Sequence, residues 1–91
     1  MEMKVHIVVI GLVQGVGFRY FTFKKARELG VTGYVKNLPD GTVEIEAEGE
    51  RALLEELISE VKVGPRSAVV NDTSVTWEEY EGKYADFQVQ Y

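Results

Sequence analysis

The chain contains no cysteine, which excludes a disulfide framework, a thiolate nucleophile and any metal site built on thiolates. Cysteine usage therefore says nothing about the redox compartment. Histidine is nearly missing too: the single His6 falls in the middle of an apolar run and reads as a packed or half-exposed sheet residue, not as a base. Positive charge is also scarce. Ten Lys and Arg against fifteen Asp and Glu give a net charge of −5, which opposes binding to a nucleic-acid backbone unless the basic groups gather on one face. A bound anion needs a local site. Long hydrophobic runs are absent as well: the apolar stretch from Val5 is broken by His6 and ended by Gly11, too short for a signal peptide or a membrane span. The expectation is a cytoplasmic protein with no membrane partner.

What is present suits one small domain. Ninety-one residues with 45% apolar side chains supply a single modest core, so one domain over residues 1 to 91 is expected. Val5, Ile7 and Val9 alternate with His6, Val8 and Ile10, which predicts a nearly buried strand over about 4 to 10. Thr22, Ala26 and Leu29 share a helical face with Phe21 at its edge, and Gly30 is a C-terminal stop; this predicts a helix over about 19 to 29. Residues 33 to 37 and 42 to 48 flank Leu38-Pro39-Asp40-Gly41, a turn signal that predicts a hairpin. Leu53, Leu54, Leu57, Ile58 and Val61 form the apolar stripe of a second helix over about 50 to 62, closed by Gly64-Pro65. Val69, Val75 and Trp77 mark a fourth strand, and Phe87, Val89 and Tyr91 a short fifth.

The resulting order, β-α-β-β-α-β plus one strand, is that of two interleaved split βαβ units, with two helices on one face of a largely antiparallel sheet. A split βαβ unit makes the first two strands parallel with one strand between them. Their C-terminal ends then share an edge, about 10 Å apart. The loop at 11 to 18 and the side chain of Asn37 therefore emerge side by side, close enough to reach one small ligand.

That loop lies within "GLVQGVGFRY", residues 11 to 20. A strand, a glycine loop and a helix N-terminus together form an anion-binding arrangement, since backbone N–H groups line the bend and the helix dipole adds positive charge. Arg19 in the first helical turn opposes that dipole, which is easier to understand if an anion lies between them. The alternative is that Gly15 and Gly17 make only a tight turn and Arg19 points to solvent. Two named phosphate motifs do not apply. No Lys followed by Ser or Thr follows the last glycine, as a Walker loop requires, and Tyr20 stands where a dinucleotide fingerprint needs its third glycine.

"GLVQGVGFR" at 11 to 19 together with "GYVKNLPDGTVE" at 33 to 44 resembles the paired signature of acylphosphatases, enzymes that hydrolyse the carboxyl-phosphate mixed anhydride. The resemblance runs through helix two to the final "FQVQY" and shows no departure at either motif. It implies a ferredoxin-like α+β sandwich whose loop of Gln14, Gly15, Val16, Gly17 and Phe18 cradles phosphate with backbone N–H groups. It further implies that Arg19 binds the phosphate and that Asn37 holds the attacking water. The chemistry agrees with these roles. A carboxylate with a conjugate-acid pKa of roughly 4 leaves without a general acid. A loose phosphoryl-transfer transition state needs positioning and fixed positive groups, which amides and a guanidinium supply. No metal and no cofactor is expected, and the expected partners are an acyl phosphate substrate, phosphate and other small anions, bound by a monomer.

Other readings compete with this one. A non-catalytic anion-binding or regulatory module fits the same scaffold, since fold does not settle function. Carbamoyl phosphate is a related substrate, because acylphosphatase-like domains also head larger carbamoyl-transferring proteins. RNA-recognition domains share the element order but stack bases on strand aromatics; here the third strand reads Glu-Ile-Glu-Ala-Glu, so RNA is not expected. Glu44, Glu46 and Glu48 on one side of that strand read as a solvated face, and Asn71-Asp72-Thr73 reads as an idle acceptor motif. Phe23 reads as a lone surface aromatic and Tyr20 as packing beside the loop. A fifth strand parallel to the second would bring the Tyr91 carboxylate to the edge where it could pair with Arg19. No acyl pocket is evident in either motif.

Overall fold

The computed structural model describes all residues 1–91. The elements are β1 (Glu2–Leu12), α1 (Phe18–Leu29), β2 (Thr32–Asn37), β3 (Val43–Glu50), α2 (Arg51–Val63), β4 (Val69–Glu79) and β5 (Phe87–Gln90). They form one five-stranded sheet in the order β4-β1-β3-β2-β5, antiparallel at each step except the parallel pair of β2 and β5. Every predicted element is present, and the fold is the expected ferredoxin-like α+β sandwich. The neighbouring strands β1 and β4 are longer than the apolar pattern alone suggests, because the backbone ladder between them continues past a bulge at Ile10/Gly11 to Leu12 and Val69.

Both helices cover one side of the sheet. Val5, Ile7, Val9, Val35, Val43, Ile45, Ala47 and Phe87 point inward from the strands and meet Phe18, Ala26, Leu54, Leu57, Ile58 and Val61 from the helices, all buried. Burying each such aliphatic side chain contributes roughly 1.5 to 3 kcal/mol relative to exposure. Helix α1 spans the β2–β5 side and α2 the β1–β3–β4 side, so α1 carries the end of its loop to the edge where β2 and β5 finish. Gly30 ends α1 in a left-handed conformation, its N–H bonded to the carbonyl of Arg27, the helix stop its sequence position signalled.

Register fixes the functional edge. Val43, the first residue of β3, faces Val9 on one side and Asn37 on the other, which sets Asn37 two strands, about 10 Å, from β1. Gln90 of β5 faces Lys36, and this carries Tyr91 to the level of Asn37. Three consecutive loops and ends thus meet at one rim of the sheet.

The opposite face corrects one expectation. Glu44, Glu46 and Glu48 do share a side of β3, but it is not a solvated face: Glu48 is only 1% exposed, and the segment after β4 folds over it. The Glu48 carboxylate accepts the backbone N–H groups of Glu81 (2.6 Å), Gly82 (3.0 Å) and Lys83 (3.0 Å). Around it Lys4 pairs with Glu78 and Glu81, Lys83 pairs with Glu46, the Tyr84 hydroxyl donates to Glu46, and Tyr34 donates to Glu44, which also bonds His6. A buried carboxylate needs such partners, since charge taken from water without hydrogen bonds is costly. Burial first, then the hydroxyl's bond to a carboxylate, pushes the Tyr34 and Tyr84 phenols well above their ordinary range. No helix is long and apolar enough to cross a membrane.

Candidate active site

The loop between β1 and α1 is pinned at both ends by the core. Val13 and Phe18 are each 1% exposed, so the arch of residues 15 to 18, with Gln14 at its base, is fixed at both ends. Gly15 and Gly17 hold it in left-handed backbone, with φ of 73° and 78°. A side chain there would cost about 1 to 2 kcal/mol in backbone strain, although no atom lies within 4 Å of the place its Cβ would occupy. The glycines answer a conformational demand, not a spatial one.

This arch leaves backbone donors free. None of the hydrogen bonds outside the regular elements uses the N–H of Gly15, Val16 or Gly17 as donor. The N–H groups of Phe18, Arg19 and Tyr20 belong to the first turn, before intrahelical pairing begins; the first bond is that of Phe21 to the Gly17 carbonyl. No side chain caps α1, and no acidic residue lies in its first turn. Left-handed turns that expose successive N–H groups at a helix N-terminus are concave toward anions.

The opening beside the arch, about 220 Å³, is lined by Val13, Gly15, Gly17, Phe18, Arg19, Tyr20, Asn37, Val89 and Tyr91. Five of the residues expected at the site, Gly15, Gly17, Phe18, Arg19 and Asn37, therefore share one pocket. Gln14 and Val16 do not line it. Val16 packs against the core, while the Gln14 side-chain amide donates to the carbonyls of Leu38 and Thr42, each at 2.8 Å. What these two residues offer an anion is main chain alone.

Arg19 is held from the side. Its guanidinium donates to the Gln90 carbonyl at 3.2 Å and lies 4.6 Å from the centre of the Tyr91 ring. None of the ion pairs in the structure includes it, so the expected link to the Tyr91 carboxylate is replaced by ring and carbonyl, and the guanidinium's charge is uncompensated. Asn37 brings an unusual feature: its Oδ1 is buried and has no hydrogen-bond partner. Such an orphaned acceptor costs about 1 to 3 kcal/mol unless a water or ligand satisfies it. The turn that follows is rigid, with Leu38 N–H bonded to the Thr42 carbonyl and Asp40 accepting from the Thr42 hydroxyl (2.6 Å) and N–H (3.0 Å). Those two bonds hold the Asp40 carboxyl below its usual range.

Tyr20 was missed by the sequence reading. It does not pack beside the loop but is 66% exposed and walls the pocket, two positions along the helix from buried Phe18 and hence on the opposite side. Helical period alone carried that signal. Phe23 is not solitary either: it packs partly against the core and lies 5.0 Å below the Arg27 guanidinium.

Fold and pocket together define an α+β sandwich with a loop of free backbone N–H groups at one sheet edge, and a guanidinium outside any ion pair and Asn37 lining the same pocket. The sequence profile of the acylphosphatase family matches residues 5–89. The acylphosphatase of Archaeoglobus fulgidus is 54% identical over 98% of this chain and 99% of its own. The crystal structure of acylphosphatase from Bacillus subtilis superposes with a TM-score of 0.94 at 40% identity, covering 98% and 99%. A crystal structure of full-length HypF in a phosphate- and nucleotide-bound form matches the whole chain with a TM-score of 0.91 and 35% identity, over only 12% of that protein. The chain belongs to the acylphosphatase family. It is a hydrolase whose substrates are acyl phosphates.

Proposed function

We propose that the pocket hydrolyses acyl phosphates by in-line attack of a water held by Asn37 on a phosphoryl group seated in the 15–18 arch. The backbone N–H groups of Gly15 to Phe18 and the Arg19 guanidinium take the phosphoryl oxygens. Both stabilise the charge that spreads over those oxygens in a loose transition state. The Asn37 amide is too weak a base to remove the proton, so it orients the water instead. As the water oxygen bonds to phosphorus, the bond from phosphorus to the acyl oxygen breaks and the carboxylate leaves with its electron pair. A phosphoryl oxygen of the substrate takes the water's proton. Nothing in this sequence of steps requires a general acid, because the leaving group's conjugate acid has a pKa of roughly 4, and nothing in it requires a metal.

The observation that carries this reading is that Asn37, whose buried Oδ1 has no hydrogen-bond partner, lines the same pocket as Arg19 and the loop glycines. Operation as a cytoplasmic monomer belongs to the same proposal. Hydrolysis of acetyl phosphate in the presence of a chelator, with Arg19→Ala and Asn37→Ala beside the wild type, tests it. The wild type should turn over undiminished and both variants should be severely impaired. Activity in both variants would move the site elsewhere, and a wild type silenced by chelation would overturn the metal-free step.

A further inference from the structure

The arch and the β2–β3 turn come from segments more than twenty residues apart in sequence, and a single side chain joins them by hydrogen bonds. The Gln14 Nε2 has two hydrogens, and the structure spends both across this gap: one goes to Leu38 O and one to Thr42 O, each at 2.8 Å. Those two carbonyls lie at the two ends of a closed turn, since Leu38 N–H itself bonds to Thr42 O at 2.9 Å. Leu38 directly follows Asn37. The turn is further stiffened by Asp40 and Thr42, so fixing its ends fixes the whole unit. On the loop side, Gln14 follows the buried Val13, which gives the amide a firm base.

We infer that Gln14 is the positioning residue of this reaction: its double donation sets Asn37 at a fixed reach from the phosphate cradle. The inference rests on the reading of Asn37 as the holder of the water. The chemistry of the link is selective. Both partners are carbonyl oxygens that only accept, so the joint needs two donors on one atom, which an amide provides and a carboxylate does not. Gln14 touches neither the phosphoryl group nor the water through its side chain. It acts on the geometry between them, where a displacement of about 1 Å can cost about a hundredfold in rate.

The test is a double-mutant cycle with two readouts, kcat for acetyl phosphate and the competitive inhibition constant of inorganic phosphate. Gln14→Met keeps the length and removes both donors; Gln14→Glu keeps the shape and presents only acceptors, and it carries the test if the Met variant does not fold. Each is expected to lower kcat by about 10- to 100-fold while leaving the phosphate constant within about threefold. In an Asn37→Ala background the same substitution should lower the residual kcat by less than about threefold, because the group it positions is already gone. Equal losses in both backgrounds, a phosphate constant that weakens in step with kcat, or an unchanged kcat would each overturn the inference. The underlying reading fails separately, if Asn37→Ala alone retains wild-type kcat.

Discussion

Two turns in this chain hold backbone N–H groups open toward an anion, and both need a left-handed glycine to do so: Gly15 and Gly17 in the arch before α1, Gly82 in the segment after β4. In the second, the anion is part of the protein. The Glu48 carboxylate reaches across from β3 and takes the N–H groups of Glu81, Gly82 and Lys83, and the carboxylate is buried beneath that segment. In the first, no side chain enters; the donors stay free, and the pocket beside them is lined by Arg19, which is in no ion pair, and by Asn37, whose Oδ1 is unpaired. The same backbone chemistry makes a structural latch in one place and, on the reading proposed above, a phosphate cradle in the other. What separates them is whether the sequence supplies its own carboxylate.

Substitutions that empty or disable one turn at a time sharpen this contrast. The largest effect on activity is expected at Arg19→Ala: loss of the charge facing the open cradle should lower kcat/KM by about 10³-fold or more, while the melting temperature stays near that of the wild type because Arg19 makes one carbonyl bond and one ring contact. The reverse pattern belongs to Glu48→Ala. Three part-buried donors lose their charged partner and the core of the latch loses a side chain, which should cost roughly 3 kcal/mol and lower the melting temperature by at least about 10 °C, with kcat at a permissive temperature within about twofold of wild type. If Glu48→Ala abolished turnover in a folded protein, the division between latch and site would be wrong.

Paired glycine substitutions come next. Gly17→Ala and Gly82→Ala both force a side chain into left-handed backbone, for about 1 to 2 kcal/mol each. Only Gly17→Ala should also weaken inhibition by inorganic phosphate, as measured by competition kinetics. Equal effects of the two on phosphate would erase the distinction. A smaller effect follows from pH. Burial alone would raise the Glu46 carboxyl, but hydrogen bonds from Tyr84 and Lys83 outweigh it and hold it low, and a bond from Lys4 does the same for Glu81. Carboxyls held low in the folded state stabilise it above their unfolded pKa of about 4.5 and lose that contribution as pH falls through the lower folded values. Denaturation midpoints should therefore drop below about pH 4.5, and Glu46→Gln should flatten that limb without altering kcat near neutrality.

Much of this was readable from the chain and some was not. The element order, the neighbouring ends of β1 and β2, and the convergence of Arg19 with Asn37 followed from periodicity and split-βαβ geometry, because those depend on local pattern and on handedness. The Glu48 latch was not legible: alternating Glu44, Glu46 and Glu48 look like a wet strand face, and only the fold of residues 81 to 83 over Glu48, a contact at long sequence distance, buries that carboxylate. Gln14 hid for the same reason, since its partners at 38 and 42 are carbonyls, which carry no residue identity. The side contact of Arg19 with the Tyr91 ring, in place of a carboxylate, depends on a rotamer that spacing cannot fix.

The central claim is that the 15–18 arch is the cradle left open for phosphate, and amide chemical shifts in a phosphate titration test it most directly. The account predicts saturable shifts at Gly15, Val16, Gly17 and Phe18, abolished in Arg19→Ala or markedly weakened, with Glu81, Gly82 and Lys83 unmoved behind their own carboxylate. Unmoved amides at 15 to 18, or shifts of equal size at 81 to 83, would contradict it.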